Sequence, residues 1–193
     1  MHRNTGNTGR DSVATIASGL AVLQGSLTEH TSPEQFCHEL AKVFQVQSTE
    51  VALLQLEAGC LRFLFPPPLR TAGSIPVSSS SAIAARTASS KKSELYNNFA
   101  KIKHASIFET VKLGSPEENS TFTNPPIQKL MSAPVLDDEG NVLAVIQLCR
   151  KGYDLHSCGP DFSLEHLHHL ERAARITAKA AFLRKRSSTA ANQ

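Results

Sequence analysis

Histidine and cysteine side chains are concentrated between residues 156 and 169. His156, Cys158, His166, His168 and His169 all fall in this stretch, and both residue types bind zinc in proteins. His166 and His169 are one helical turn apart in an otherwise amphipathic segment, and no Cys-x-x-Cys pair occurs in the chain. A metal centre requires an arranged set of ligands and not composition alone. We therefore expect no metal site and interpret these histidines as polar positions of a helix.

The four cysteines offer thiol chemistry. Cys149 ends an apolar segment, and Cys158 follows in a stretch typical of a loop. Two interpretations are open for this pair: redox sensing, or a buried thiol beside an unrelated loop residue. Because the chain begins with no apolar signal segment, we expect reduced thiols and not a disulfide framework. The other two cysteines are Cys37 and Cys60.

The size and charge of the chain exclude several classes of protein. Its 193 residues suit one domain with helical appendages. The 20 Lys+Arg are nearly balanced by 17 Asp+Glu, so the charge predicts no nucleic-acid partner. No run approaches the roughly 18 apolar residues that span a bilayer. We expect a cytoplasmic protein without a membrane partner.

The two ends of the chain have different patterns. Residues 1–10 and 187–193 are polar and predicted to be disordered. Between them, residues 11–28 carry apolar side chains at alternating steps of three and four, the a/d spacing of a coiled-coil seam. We expect a dimerisation helix here and a homodimer formed through the terminal helices. The apolar positions are Val13, Ile16, Leu20, Leu23 and Leu27.

The middle of the chain predicts a helix followed by short strands. "TSPEQFCHEL" has the Ser, Pro and Gln of a capped helix start. Two apolar runs then flank Glu57-Ala58-Gly59, which predicts a hairpin, and "GSIPV" predicts a further strand. The serines 78–81 suit the cap of a short helix, and a strand is expected around Leu95 and Tyr96. The segment 114–126, rich in Gly, Pro and Asn, predicts a mobile loop.

The last third of the chain predicts a hairpin and a long helix. In "MSAPVLDDEGNVLAVIQLCRK" both faces of each arm are apolar, and Gly140 suits the turn. Both faces of this hairpin should therefore be covered. The segment from Phe162 to residue 186 carries two adjacent apolar stripes, as expected for one helix that contacts two partners.

This order of elements, together with the final hairpin and the "DFSLEHLHHLERAA" helix, resembles a GAF domain over residues 32–186. The resemblance implies an α+β, profilin-like fold with a central antiparallel sheet, terminal helices on one face and a small-molecule pocket on the other. It also implies a sensory module that dimerises through its terminal helices. The ligand and any cofactor are unknown.

By family position, the pocket would lie between the sheet and residues 78–108. Hydroxyls and free N–H groups at a helix start suit a polar or anionic ligand, and aromatic rings suit apolar walls. The same serines also fit solvated caps, and the same phenylalanines fit plain core. A lid in the loop 114–126 would close through its one large apolar side chain. The candidate ligand-binding residues are Ser79, Ser80, Ser81, Phe99, Phe108 and Phe122.

Two comparisons within the family restrict the function. Members that bind cyclic nucleotides often carry Asn-Lys, then Phe, three residues and Asp-Glu; here Lys151 and Phe162 match, but His166 stands where the acid is expected. GAF-like free-methionine sulfoxide reductases use cysteines in the middle of the domain, and none lies between Cys60 and Cys149.

We accordingly expect a sensor that is not an enzyme, with no catalytic residues, in signal transduction or transcriptional regulation. A docking module with a collapsed pocket, and a GAF-like enzyme that pairs His104, Glu109 or His156, are the alternatives.

Overall fold

The computed structural model describes residues 7–99 and 125–187, which form a six-stranded antiparallel sheet with helices on both faces. The predicted α+β class is confirmed. The sheet order is β3-β2-β1-β6-β5-β4. The strands are β1 (Val51–Glu57), β2 (Cys60–Phe65), β3 (Ser74–Pro76), β4 (Glu94–Tyr96), β5 (Ile127–Leu136) and β6 (Val142–Lys151). The helices are α1 (Asn7–Gly25), α2 (Pro33–Phe44), α3 (Ile83–Ser90), α4 (Leu164–Ala178) and α5 (Ala181–Ser187), and two 3-10 turns cover Ser48–Glu50 and Pro67–Thr71.

Helix α2 begins as its sequence predicts. The Ser32 hydroxyl accepts a hydrogen bond from the Gln35 backbone N–H at 3.1 Å, and the Gln35 side chain accepts one from the Ser32 N–H at 3.0 Å. Pro33 occupies the first helical position, where a missing N–H costs nothing. The apolar stripe of α2, with Phe36, Leu40 and Phe44, is buried against the sheet.

Both predicted hairpins form. In the first, Ala58 and Gly59 have positive φ angles of 48° and 77°, which suits a tight turn between twisted strands. In the second, the Asp137 carboxylate accepts hydrogen bonds from the backbone N–H groups of Glu139 and Asn141. Gly140 has the positive φ expected of it, 80°.

The second hairpin departs from strict alternation near its turn. The pairing register shifts between Val135 and Leu136, and such a bulge moves the following side chains to the other face. As a result, Val142 packs on the α3 face of the sheet and Leu143 on the opposite face. Strict alternation of side chains along β6 would have put these two residues on the opposite faces. Beyond the bulge both faces are apolar and covered, as predicted.

The face of the sheet opposite α3 carries the larger apolar cluster, here the helix-side cluster. It is made by α1, α2 and α4 packed on strands β1, β5 and β6. Gly19 of α1 lets α1 approach α2, because a Cβ at this position would lie 2.9 Å from Val43 Cγ2. The close packing of α1 on α2 therefore depends on glycine, which has no side chain, at position 19.

The a/d stripe of α1 faces into this cluster. Ile16, Leu20 and Leu23 are at most 5% exposed within a single chain. The stripe therefore needs no second copy to cover it, which removes the physical reason for placing a dimer seam there. Helix α1 also begins at Asn7 and ends at Gly25, whereas the sequence predicted a helix over 11–28.

The predicted long C-terminal helix is two helices. The Thr177 hydroxyl donates to the Ala173 carbonyl at 2.7 Å, a bond that competes with regular helix and bends it. The Lys179 and Ala180 N–H groups then bond three residues back, and Ala180 is buried where the chain changes direction.

Within the described ranges, no helix combines the length and the apolar character that crossing a membrane requires.

Candidate functional site

Helix α3 covers the other face of the sheet through small side chains. Ala84, Ala85 and Ala88 are buried against strands β5 and β6, in a second cluster, here the α3-side cluster. Alanine lets the helix backbone lie close to the sheet. Leu54 and Val145 are also buried in this cluster.

Three buried polar side chains lie between α3 and the sheet. The Ser132 hydroxyl accepts a hydrogen bond from the Thr87 hydroxyl at 2.8 Å and from Gln147 Nε2 at 3.3 Å. Buried polar groups require such partners, since an unpaired one costs about 1–3 kcal/mol. This trio fixes the rotation of α3 on the sheet. This contact could not be predicted from the sequence, because the three residues are far apart in the chain.

The N-terminus of α3 has no side-chain cap. Its N-cap residue is Ala82, with φ −100° and ψ 124°, and no side chain bonds to the first-turn N–H groups. Among the helices that the structure describes, α2 and α4 each open with a complete capping box. Those boxes use Ser32 with Gln35, and Ser163 with His166.

The serine run does not cap α3, so this prediction is wrong. The helix begins at Ile83, and its N-cap is Ala82, whose side chain has no oxygen to accept a hydrogen bond. Ser79 is half-buried, whereas Ser80 and Ser81 are exposed. Ser79 Oγ and Ser81 Oγ instead lie 3.2 Å apart, at hydrogen-bond distance. The three candidate serines are thus together beside the helix start.

Phe99 is a core residue of the α3-side cluster. It is buried, and its ring meets the ring of Tyr96 edge-on with centroids 6.4 Å apart. The other two candidate phenylalanines, Phe108 and Phe122, lie outside the described residues. The same is true of the predicted lid except for its last two residues, Pro125 and Pro126.

A charged cluster at the edge of this face was not anticipated from the sequence. Arg86 of α3 donates through Nε to Glu94 Oε1 at 2.9 Å, and Tyr96 donates its hydroxyl hydrogen to Glu94 Oε2. The Arg86 guanidinium also contacts the Tyr96 hydroxyl and ring. Burial, together with the Glu94 carboxylate, raises the pKa of Tyr96 to about 12. No local sequence signal marks the cluster, because the fold joins a helix to an edge strand.

The family-motif residues near α4 form a different arrangement. The Arg150 guanidinium lies over the Phe162 ring, 4.9 Å from its centroid. Lys129 Nζ pairs with the Asp161 carboxylate at 2.7 Å and also donates to the Gly159 carbonyl. This pair joins β5 to the loop before α4. His166, at the position of the family acid, caps the helix instead.

The histidines and cysteines are dispersed among structural contacts. His156 donates its backbone N–H to Asp154, and the Cys158 thiol donates to the Leu155 carbonyl. Burial raises the pKa of the Cys37 thiol, which disfavours the reactive thiolate. Cys149 is buried on the α3 face. Among the described residues, no three His, Cys, Asp or Glu side chains come together as metal ligands do.

Comparisons with known proteins identify the fold. No protein-family model matches the sequence, and no curated protein matches it significantly. Solved structures do match. The chain is similar to the GAF domain of a phosphoenolpyruvate-protein phosphotransferase from Coxiella burnetii, with 9% identity and a TM-score of 0.63, over 91% of this chain and 98% of that one. It is also similar to the GAF domain of an Acinetobacter phosphoenolpyruvate-protein phosphotransferase, with 13% identity and a TM-score of 0.55, over 96% and 97% of the two chains. This chain has the GAF fold, as its sequence predicts.

The same comparison corrects one prediction. Free methionine-R-sulfoxide reductase from Neisseria meningitidis, solved in complex with its substrate, matches over 97% of this chain and 98% of its own, with 10% identity and a TM-score of 0.59. A reductase from Staphylococcus aureus also matches, with a TM-score of 0.53. The prediction that the chain is not an enzyme is therefore wrong, because it was drawn from a fold that enzymes also have.

Proposed function

We propose that this chain is a GAF-type sensory module that binds a small polar or anionic molecule at the N-terminus of α3. The observation that supports it most is the uncapped start of this helix. Helix N-termini carry free N–H groups and a partial positive charge, and they bind anions and polar oxygens when no side chain occupies them. Ser79 and Ser81 precede this start and are within hydrogen-bond distance of each other; when one hydroxyl donates to the other, the second keeps its hydrogen for a ligand.

A thermal-shift screen tests ligand binding. A molecule that binds only the folded chain raises its melting temperature by mass action. Suitable probes are inorganic phosphate, cyclic AMP, cyclic GMP, free amino acids and small carboxylic acids. We expect a response to a polar or anionic probe, and weak or no response to the cyclic nucleotides, because His166 replaces the family acid. An absence of any response across the panel contradicts the proposal.

A cap introduced by mutation should compete with the ligand. Ala82 has the extended backbone of an N-cap residue, so in Ala82→Ser the new hydroxyl can accept a hydrogen bond from the first turn of α3. We expect the empty protein to gain about 0.5–2 kcal/mol of stability and the screen hit to bind several-fold more weakly. Calorimetry with that hit and thermal denaturation without it measure the two effects.

Ser89→Ala is the matched control, since Ser89 is exposed near the other end of α3. This variant should leave the affinity for the hit unchanged. If Ala82→Ser gains stability but binds the hit as the wild type does, the ligand site is elsewhere.

A second candidate function is reduction of free methionine sulfoxide, favoured by the match to the reductases. Cys149 is the buried thiol on the α3 face. Conversion of free methionine-R-sulfoxide to methionine in the presence of a dithiol reductant, measured by chromatography, tests it. Activity that is lost in Cys149→Ser but kept in Cys60→Ser would support this function, and no conversion by the wild-type protein would exclude it.

A further inference from the structure

A concave surface lies on the helix side of the molecule, between the β5–β6 turn and the C-terminal helices. This groove, here the hairpin groove, has a volume of about 1020 Å³. Its apolar lining residues include Leu136, Leu143 and Leu183, which are half-buried or buried, whereas most of its charged lining residues are exposed. The apolar side chains therefore form the floor of the groove, and the charged side chains form its walls.

The C-terminal helices form a basic wall. Arg175, Lys179 and Arg184 line the groove and are exposed, and none makes an ion pair within the described ranges. Glu171 is the acid on this wall. Over residues 172–186 the sequence has six Lys or Arg and no Asp or Glu. The wall therefore has an excess of positive charge that its own chain does not neutralise.

The β5–β6 turn forms a smaller wall of the opposite sign. The Asp137 carboxylate is committed to the turn, where it accepts two backbone hydrogen bonds. Asp138 lines the groove, is exposed and makes no ion pair among the described residues. Lys91 donates from Nζ to the Gly140 carbonyl at 2.7 Å and thereby ties the turn to the end of α3. The acidic wall is therefore held in a fixed position.

We propose that the hairpin groove binds an amphipathic helix of a partner protein, one whose apolar stripe runs between an acidic and a basic edge. The stripe lies on the leucine floor, the acidic edge faces Arg175, Lys179 and Arg184, and the basic edge faces Asp138. Helix-in-groove recognition takes its affinity from such an apolar stripe. Because the two walls have opposite charges, they also determine the direction in which the helix lies.

The shape of the groove favours a helix over other occupants. A helix with its side chains is a convex rod about 10–12 Å across, which suits a concave floor. An extended peptide would need a free strand edge, but Pro134 of β5 lines the groove and has no N–H to offer. Small-molecule sites bury most of their ligand's surface, whereas the charged walls of this groove are exposed. The inference does not depend on the ligand site proposed at α3.

Designed peptides test the proposal with the full chain. A split-edge peptide of about 18 residues, long enough to form a helix in isolation, has a leucine stripe with Glu along one edge and Lys along the other. A scrambled peptide keeps this composition without a stripe, and a basic-edge peptide has Lys along both edges. Fluorescence anisotropy of the labelled peptides measures binding. We expect the wild-type chain to bind the split-edge peptide at least tenfold more tightly than either of the others.

Charge reversal on the basic wall should exchange this preference. In Arg175→Glu/Lys179→Glu both walls are acidic, so the Glu edge meets like charge in either direction of the helix. We expect the split-edge peptide to bind this variant at least tenfold more weakly than the wild type, and the basic-edge peptide to bind it more tightly. Lys92→Glu is the control, as Lys92 is an exposed cation that does not line the groove. It should leave both affinities unchanged, and circular dichroism should show both variants folded.

Several results would overturn the proposal. If the wild-type chain binds no peptide, or binds the scrambled and split-edge peptides equally, the groove does not recognise a helix. Dodecanoate probes a small amphipathic anion, and its displacement of the split-edge peptide would make the groove a small-molecule site. A wild-type dimer in sedimentation equilibrium that Arg175→Glu/Lys179→Glu dissociates would show that a second copy occupies the groove instead.

Discussion

Gly152 lies where β6 ends, and its surroundings leave no space for a side chain. A Cβ at this position would lie 2.8 Å from both the Cβ and the backbone N of Cys158. Backbone atoms cannot move aside as a flexible side chain can, so Gly152→Ala should destabilise the fold by about 1–3 kcal/mol. Chemical denaturation measures the change. Gly25→Ala is the matched control, because nothing lies within 4 Å of its added Cβ, and equal losses in both variants would contradict the packing argument.

His166 makes the start of α4 sensitive to pH. Its Nδ1 accepts the Ser163 N–H at 3.0 Å, which requires an unprotonated nitrogen. Burial, and then the charges of Arg150 and His169, hold the pKa of His166 below its ordinary value of 6.5. The unfolded chain therefore takes up the proton first as pH falls, and the folded state loses stability from about pH 6.5 downward.

The variant His166→Gln should reduce this dependence, because glutamine completes the same capping box without titrating. Between about pH 8 and about pH 5 we expect the wild type to lose about 1 kcal/mol more than the variant. Thermal denaturation across this range is the measurement. Burial also lowers the pKa of His169, so the variant should keep a smaller slope. Identical slopes for the two proteins would contradict a role of His166 in the effect.

Residues whose partners are local could be predicted from the sequence, and the rest could not. Ser32 and Gln35 bond within one helical turn, so their types and spacing predict the capping box. The same logic failed at Ser78–Ser81, because four adjacent serines do not determine where the helix begins. Arg86 and Glu94 lie on different elements, as do Lys129 and Asp161, and nothing in their local sequence predicts the pairing.

At the level of the element, the stripe of α1 is packed within its own chain. Leu20 is 0% exposed in the helix-side cluster, so Leu20→Glu would bury a carboxylate without a partner. We expect a loss of several kcal/mol in the free energy of unfolding, measured by chemical denaturation. Val22→Glu on the outer face of α1, where Val22 is 72% exposed, should change stability by less than about 0.5 kcal/mol.

This pair of variants separates core packing from a dimer seam. If Leu20→Glu kept its unfolding free energy and changed only the mass of the particle, α1 would belong to an interface. The prediction of a homodimer stays open. In the structure, the apolar stripe of α1 packs into the helix-side cluster of its own chain.

Elements with a strong local signal were predicted well. Both hairpins were found from their turns and apolar arms, and β4 from Leu95 and Tyr96. The break between α4 and α5 was missed, because the apolar stripes continue through it and only the Thr177–Ala173 bond interrupts the helix. The bulge at Val135 was missed for a similar reason, since alternation of apolar residues does not show a register shift.

For the whole molecule, the order of elements predicted the GAF fold, although no family model matches the sequence. The site was less accessible to prediction. Ser79, Ser80 and Ser81 stay a prediction as ligand-binding residues, and the uncapped start of α3 depends on a single alanine. Charged side chains of the β5–β6 turn and of α4 and α5 also line one surface, although the sequence separates them by more than thirty residues, and no motif joins them.

The sheet order has a consequence for how the chain folds. β1 pairs with β2, and β5 with β6, through short turns, whereas the central β1–β6 pairing joins Val51 to Leu148. Hairpins close in microseconds, but a contact across roughly a hundred residues must first overcome the entropy of closing a long loop. We expect the two hairpins to form early and their meeting to limit the rate. Substitutions at the β1–β6 seam, such as Ala52→Gly, should then slow folding more than equally destabilising substitutions in α1, a difference that stopped-flow kinetics can measure.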